Sequence, residues 1–228
     1  MRKLVLFDID GTLVNVEGIS RAALIEALRQ VYGTEGNAAS HSFAGKMDGV
    51  IIYEVMQGSG LDDKDIQQRF EQVKQSYIDI FKQTSRKEHV TLLAGVVELL
   101  QALSGRDDVA IGLLTGNFEA SGRHKLALPG INQYFPFGAF AEDGYHRTEL
   151  PAVAIERAYQ HTGKRFSGKD VVIIGDTEHD VRCANVLDSK CIAVATGHYT
   201  LNSLQACNPD TAFESLVNTS DVLDAIFS

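Results

Sequence analysis

Two patterns of apolar positions alternate along the chain. Residues 3–7 (KLVLF), 109–114 (VAIGLL), 171–174 (VVII) and 191–195 (CIAVA) are short, nearly continuous apolar runs. Runs of that length without polar alternation read as strands buried on both faces. A fifth, shorter strand is expected near residues 137–141. Between the runs, apolar residues recur every third or fourth position, which predicts helices. Leu24, Ile25, Leu28 and Val31 mark one over residues 19–32, with Ser20 as N-cap and Gly33 and Gly36 beyond its end. Further helices are expected over residues 48–56, from residue 61 or 62 through Phe81, and over 92–103, 121–128 and 149–162. A last one follows Ser220 and carries Val222, Leu223 and Ile226. Strands alternating with helices predict an α/β fold around a parallel sheet, with the ligand beyond the carboxyl ends of the strands. Residues 16–87 hold no convincing strand and read as a helical insert.

The chain has 228 residues, of which 44% are apolar and 22% charged. That suffices for one core and a small accessory domain. Thirty acids against 21 Lys and Arg give a net charge of −9. Such a surface argues against nucleic acid, whose phosphates are held by clustered cations. It leaves room for a small phosphorylated ligand in a locally positive pocket. No apolar run approaches the ~20 residues that a membrane span needs. The opening MRKLVLFDID begins like a signal peptide, but its apolar run stops at Asp8. Cys183, Cys191 and Cys207 are odd in number and lack metal-site spacing, so they are read as packing residues of a cytoplasmic protein.

The strand ends carry the chemistry. Asp8-Ile9-Asp10-Gly11-Thr12 follows the first run, Thr115-Gly116-Asn117 the second, and Gly175-Asp176-Thr177-Glu178-His179-Asp180 the third. Carboxylates converging on one sheet edge repel one another, and burying them unneutralised costs several kcal/mol. A hard cation relieves this, and oxygen-only donors favour Mg²⁺. Gly11 permits a sharp turn, and Thr12 is expected to bond local backbone. Thr115 and Gly116 offer a hydroxyl and an open amide to a phosphate oxygen. An acid at Asp180 is also what the first turn of a helix favours, and His179 reads as solvent-facing.

DIDGT, LLTGN and GDTEHD, in this order and each at a strand end, resemble three motifs of the haloacid dehalogenase superfamily. The resemblance spans residues 3 to about 200. It implies a Rossmann-like core, residues 1–15 and 88–228, and a small helical cap domain, residues 16–87. It implies a Mg²⁺-dependent phosphatase with Asp8 as nucleophile and Asp10 as general acid/base. Asp8, the Asp10 carbonyl and Asp176 would hold the metal, with Asp180 and Thr12 supporting them. A dehalogenase would lack the second acid, Asp10. The family's third motif usually offers a Lys, but residues 142–151 (EDGYHRTELP) contain none. Arg147 is its expected substitute, with Arg123 and Lys125 as alternatives. The loop at residues 43–48 resembles the specificity loop of phosphoglycolate phosphatase-like members. Lys46 there, together with Thr115, Gly116, Asn117 and Arg147, would bind substrate. A sugar-phosphate mutase of the β-phosphoglucomutase kind, or a phosphonatase, would use the same acids. The expected partner is a small phosphorylated metabolite, and the sequence leaves monomer and homodimer both open.

Overall fold

The computed structural model describes residues 2–228; Met1, the first residue of the expected core range, lies outside them. In chain order the elements are β1 (Lys3–Phe7), β2 (Val14–Val16), α1 (Ile19–Tyr32), α2 (Asp48–Gln57), α3 (Asp63–Thr84), β3 (Val90–Leu92), α4 (Val96–Ser104) and β4 (Val109–Leu114). There follow α5 (Glu119–Ala127), β5 (Gly138–Ala139), α6 (Leu150–Thr162), β6 (Val171–Gly175), α7 (Glu178–Val186), β7 (Lys190–Val194), α8 (Leu201–Gln205), β8 (Thr211–Phe213) and α9 (Thr219–Phe227).

Six strands form one sheet in the order β5-β4-β1-β6-β7-β8, every neighbouring pair parallel. The chain steps outward from β1 through β4 to β5 on one side and through β6 to β8 on the other. The order therefore reverses at β1, and a crevice opens beyond its carboxyl end. Strand alternation divides the core. Leu4 and Leu6 pack with Ala154 and Ala158 of α6 and Cys183 and Ala184 of α7. Val5 and Phe7 face the other way, onto Leu99, Leu100 and Leu103 of α4 and Val222 and Ile226 of α9. Each large apolar side chain buried in this way contributes roughly 1.5–3 kcal/mol.

Helices α1, α2 and α3 stand between β2 and β3. Leu24, Leu28, Ile52, Val55, Val73 and Phe81 bury their side chains in a cluster continuous with one face of the sheet. Asp62 caps α3 by accepting from the Asp65 amide at 2.8 Å.

The structure corrects the sequence reading of several elements. Helix α1 begins at Ile19 after Gly18 at φ 66°, so Ser20 lies inside its first turn and is not the cap. β2 and β3 form an antiparallel ribbon in which Val14 faces Leu92 and Val16 faces Val90. Three-residue strands are too short to show a period, so residues 14–16 and 90–92 left no signal. The helix expected from residue 92 begins at Val96, after Gly95 at φ 85°. A Cβ there would lie 2.1 Å from the Leu216 carbonyl oxygen, so the turn needs glycine. Strand β8 and helix α8 are likewise short elements that periodicity did not reveal.

Candidate active site

Asp8 extends β1 by one residue: its amide donates to the Ile174 carbonyl at 3.0 Å. The chain then turns on itself, with the amides of Leu13 and Val14 both donating to the Ile9 carbonyl, at 2.9 and 3.1 Å. Gly11, at φ 79°, is obligatory in this turn, since a Cβ would lie 2.3 Å from Asp176 Oδ2. The turn aims the Thr12 hydroxyl at Asp176 Oδ1, to which it donates at 3.3 Å. Thr12 thus ties two strand ends together rather than bonding local backbone as expected. Gly197 approaches Asp176 from the loop after β7, and a Cβ there would lie 1.7 Å from Oδ2.

Asp8, Asp176 and Asp180 are buried, and each offers an oxygen within 4.8 Å of the others. Arg147 stands among them. Its Nη2 lies 3.1 Å from Asp8 Oδ1 and donates to Asp180 Oδ1 at 2.7 Å, and Nη1 donates to the Gly45 carbonyl at 3.0 Å. Asp180 is fixed from its other side: Oδ2 accepts from the Thr177 amide and hydroxyl at 3.0 and 2.7 Å, closing a capping box at the start of α7. Two of the three acids thus contact one guanidinium, and Asp176 completes the cluster. Burial pushes the Asp176 carboxyl well above its ordinary range, and Asp8 and Asp180 push it further. Burial also raises Asp8, against the pull of Arg147 and with the push of Asp180 and Asp10. Arg147 keeps its charge: burial works against it, but Asp180 and Asp8 hold its pKa above the ordinary value. A buried group of oxygens left with excess negative charge fits a hard divalent ion such as Mg²⁺.

Asp10 points the other way. Its side chain is 43% exposed to the crevice. Lys125 Nζ donates to both of its carboxylate oxygens, at 2.9 and 2.8 Å. Asn117 Nδ2 donates to Asp10 Oδ2 at 2.7 Å, and Asn117 Oδ1 accepts from Lys125 at 2.6 Å. The Thr115 hydroxyl oxygen accepts from Asn117 Nδ2 at 2.8 Å. The side-chain cluster at metal-binding distance is therefore Asp8, Asp176 and Asp180, with the Asp10 carboxylate turned to a cation of its own. Sequence reasoning did not foresee the Asp10–Lys125 pair. Its partners lie 115 positions apart, and only the packing of α5 brings them together. Arg123 takes no part here; it donates to Glu119 and to the Phe135 carbonyl, at 2.7 and 3.0 Å.

The helical insert closes the crevice. The Asp48 amide donates to the Gly116 carbonyl at 2.7 Å, and Asp48 Oδ2 accepts from the Phe118 amide at 2.8 Å. A Cβ on Gly116 would lie 2.4 Å from the Lys46 carbonyl oxygen, so this glycine admits the insert's loop. Gly45, at φ 68°, sits over His179, whose ring would meet a Cβ at 2.4 Å. His179 is therefore half-buried beneath that loop rather than solvent-facing. Lys46 donates to Glu54 at 2.6 Å and lies 3.2 Å from His41 Nε2. Burial pushes the Glu54 carboxyl up, but Lys46 and His41 together outweigh it and hold the carboxyl below the ordinary range. The cavity between insert and sheet measures about 580 Å³, and Asp8, Asp10, Arg21, Lys46, Thr115 and Arg147 are among its walls. The three cysteines are free, Cys183 and Cys191 buried and Cys207 half-buried. Among the described residues no helix is long and apolar enough to cross a membrane.

Residues 5–194 match the family model described as haloacid dehalogenase-like hydrolase. The chain is 21% identical over 230 residues to the pyrophosphatase PpaX of Oceanobacillus iheyensis, covering 99% of each. It is 26% identical over 217 residues to the "probable phosphatase IndB" of Dickeya dadantii, covering 94% of this chain and 90% of that one. The crystal structure of a predicted phosphatase from Clostridium acetobutylicum superposes with a TM-score of 0.73 at 19% identity, covering 98% of this chain and 99% of that one.

Proposed function

The chain belongs to the haloacid dehalogenase-like hydrolases, and from that premise we propose that it is a Mg²⁺-dependent phosphatase cleaving a small phosphomonoester through an aspartyl-phosphate on Asp8. The observation that carries the reading is the division of labour between two aspartates two residues apart. Asp8 lies inside a buried anionic cluster with Arg147, and Asp10 reaches separately into the cavity on its own cation. One carboxylate is placed to attack and the other to move a proton.

In the first half-reaction an Asp8 oxygen bonds to phosphorus as the ester P–O bond breaks, and Asp10 gives its proton to the leaving oxygen. In the second, Asp10 takes a proton from a water whose oxygen bonds to phosphorus, and the Asp8–phosphorus bond breaks. Free phosphate leaves, Asp8 is again a carboxylate and Asp10 again carries its proton. Arg147 would hold the phosphoryl oxygens beside Asp8 while answering Asp180. Its Nε is buried without a hydrogen-bond partner among the described residues. The Thr115 hydroxyl has its proton available for the same group. The carboxylates of Asp8 and Asp176, with the Asp10 backbone carbonyl, would hold Mg²⁺, and Asp180, tied to Arg147 and Thr177, would support them. When bound, the ion supplies positive charge that offsets the repulsion between the carboxylate nucleophile and the phosphoryl group. Lys46, Gly116 and Asn117 meet the substrate less directly than their positions in the sequence imply. Lys46 is tied to Glu54, Gly116 seats the insert's loop, and Asn117 serves Asp10. The tie to Glu54 also counts against a phosphonatase, which needs a free amine. Three free cysteines agree with a reducing, cytoplasmic setting.

The test is phosphate release from a panel of phosphorylated metabolites, with Mg²⁺ and with EDTA, for wild type and Asp8→Asn. Release that needs Mg²⁺ and vanishes in the variant is expected. Turnover retained by Asp8→Asn rejects the nucleophile, and turnover that needs an added sugar bisphosphate points to a mutase.

A further inference from the structure

We infer that Lys125 is a positioning residue: its ammonium holds the Asp10 carboxylate aimed into the cavity, in reach of the leaving-group oxygen. The inference rests on the acid/base reading of Asp10 proposed above.

Four observations carry it. Lys125 is 3% exposed, and a buried ammonium is tolerated only with a partner. Among the described residues its anionic partner within salt-bridge distance is Asp10. Both carboxylate oxygens are taken, at 2.9 and 2.8 Å, so the contact fixes the rotation of the carboxylate as well as its place. Lys125 is itself held from two directions. Asn117 Oδ1 accepts from it at 2.6 Å, and Nζ stands 5.9 Å from the centre of the Phe81 ring. Phe81 belongs to α3 of the helical insert, and its ring meets His124, the neighbour of Lys125, edge-on at 5.7 Å.

Without Lys125, Asp10 keeps the single bond from Asn117 and gains a rotational freedom that its 43% exposure does not restrain. Lys125 lines the same cavity as Asp8, but its ion pair is with Asp10, while the cation at Asp8 is Arg147, so it acts through Asp10. This assigns Lys125 a place outside the phosphate-binding set, where the third-motif alternatives had put it.

The consequence is selective. Asp10 as an acid matters most when the departing oxygen is basic, and general acid catalysis contributes about 10²–10⁴-fold. The experiment compares kcat/KM for phenyl phosphate and 2,4-dinitrophenyl phosphate, a poor and a good leaving group, in Mg²⁺-supplied enzyme. The variants are Lys125→Met, Lys125→Gln, Asp10→Asn and the double variant Asp10→Asn with Lys125→Met. Lys125→Gln, whose neutral and shorter amide cannot replace the ammonium on both Asp10 oxygens, carries the same expected losses and stands in should the methionine variant fail to give a wild-type circular dichroism spectrum. Loss of Lys125 is expected to lower kcat/KM for phenyl phosphate by about 10²-fold or more, and for dinitrophenyl phosphate by less than about 10-fold. KM should stay within about threefold of wild type, because Lys125 binds no substrate. In the Asp10→Asn background the same substitution should add nothing, since residues acting through one group are not additive. Equal losses on both substrates, or a further loss on top of Asp10→Asn, overturn the inference. An Asp10→Asn enzyme with wild-type activity overturns the reading of Asp10, and the inference with it. An impaired, leaving-group-sensitive Asp10→Asn beside an insensitive Lys125 variant overturns the inference alone.

Discussion

Asp48 offers the most quantitative perturbation. It opens α2, and its carboxylate accepts from the Phe118 amide across the seam between insert and core at 2.8 Å. Burial pushes its carboxyl from 3.8 up to about 6, against the pull of Lys125 and of the Phe118 bond and with the push of Asp10 and Glu142. Asp48→Asn keeps an oxygen for the Phe118 amide and removes the charge. At 1.36 kcal/mol per pKa unit, a shift of about two units makes the ionised carboxylate cost the folded state about 3 kcal/mol. The side chain keeps partial contact with solvent, which reduces this to about 1–3 kcal/mol.

The sign follows from proton counts. A group whose pKa is higher folded than unfolded binds more protons in the folded state between the two values. Stability therefore falls as pH rises through about 4–6, and the deficit is complete above that window. The advantage of the asparagine variant should then roughly double between about pH 5 and about pH 7.5. Urea unfolding of both proteins in EDTA at the two pH values measures it. A gap that does not change with pH, or a variant less stable than wild type near pH 7.5, would refute the reasoning.

Other outcomes are expected from the anionic cluster. Arg147→Ala leaves the Asp8 and Asp180 carboxylates buried without their cation, so metal-free protein should lose about 3–5 kcal/mol in denaturant unfolding; unchanged stability would mean that the carboxylates find relief elsewhere. Mg²⁺ at about 100 times its Kd should stabilise wild type by about 2.7 kcal/mol, and Asp176→Asn should abolish most of that rise in a thermal melt. A wild type that gains nothing from Mg²⁺ removes the cluster as a metal site. Gly197→Ala would set a Cβ 1.7 Å from Asp176 Oδ2. A displacement of about 1 Å is enough to cost about 10²-fold in turnover, and an unimpaired variant would show that the loop yields instead.

The sequence was most legible where one residue type had one physical use. Apolar runs such as residues 171–174 had no alternative to a buried strand, and β6 is buried along its whole length. The acids at the strand tips were legible because topology alone brings the carboxyl ends of β1 and β6 side by side. Contacts made by packing were not. Asn117 and Lys125 lie 107 and 115 positions from Asp10, and nothing local marks either as its partner. Lys46 read as a free cation because Glu54 lies on a helix whose facing was unknown. Gly116 read as an open amide, whereas the missing side chain serves the insert's backbone. The ribbon of β2 and β3 was lost because three residues are fewer than any period needs.

That ribbon has a consequence for how the enzyme could be rebuilt. Val16 and Val90 face each other across it, so the 73 residues between them leave and rejoin the sheet-bearing half at neighbouring points. A detour of that form resembles a parenthesis, opened and closed by one ribbon that lies outside the main sheet. Different inserts could then be grafted between the same two valines above one unchanged set of acids.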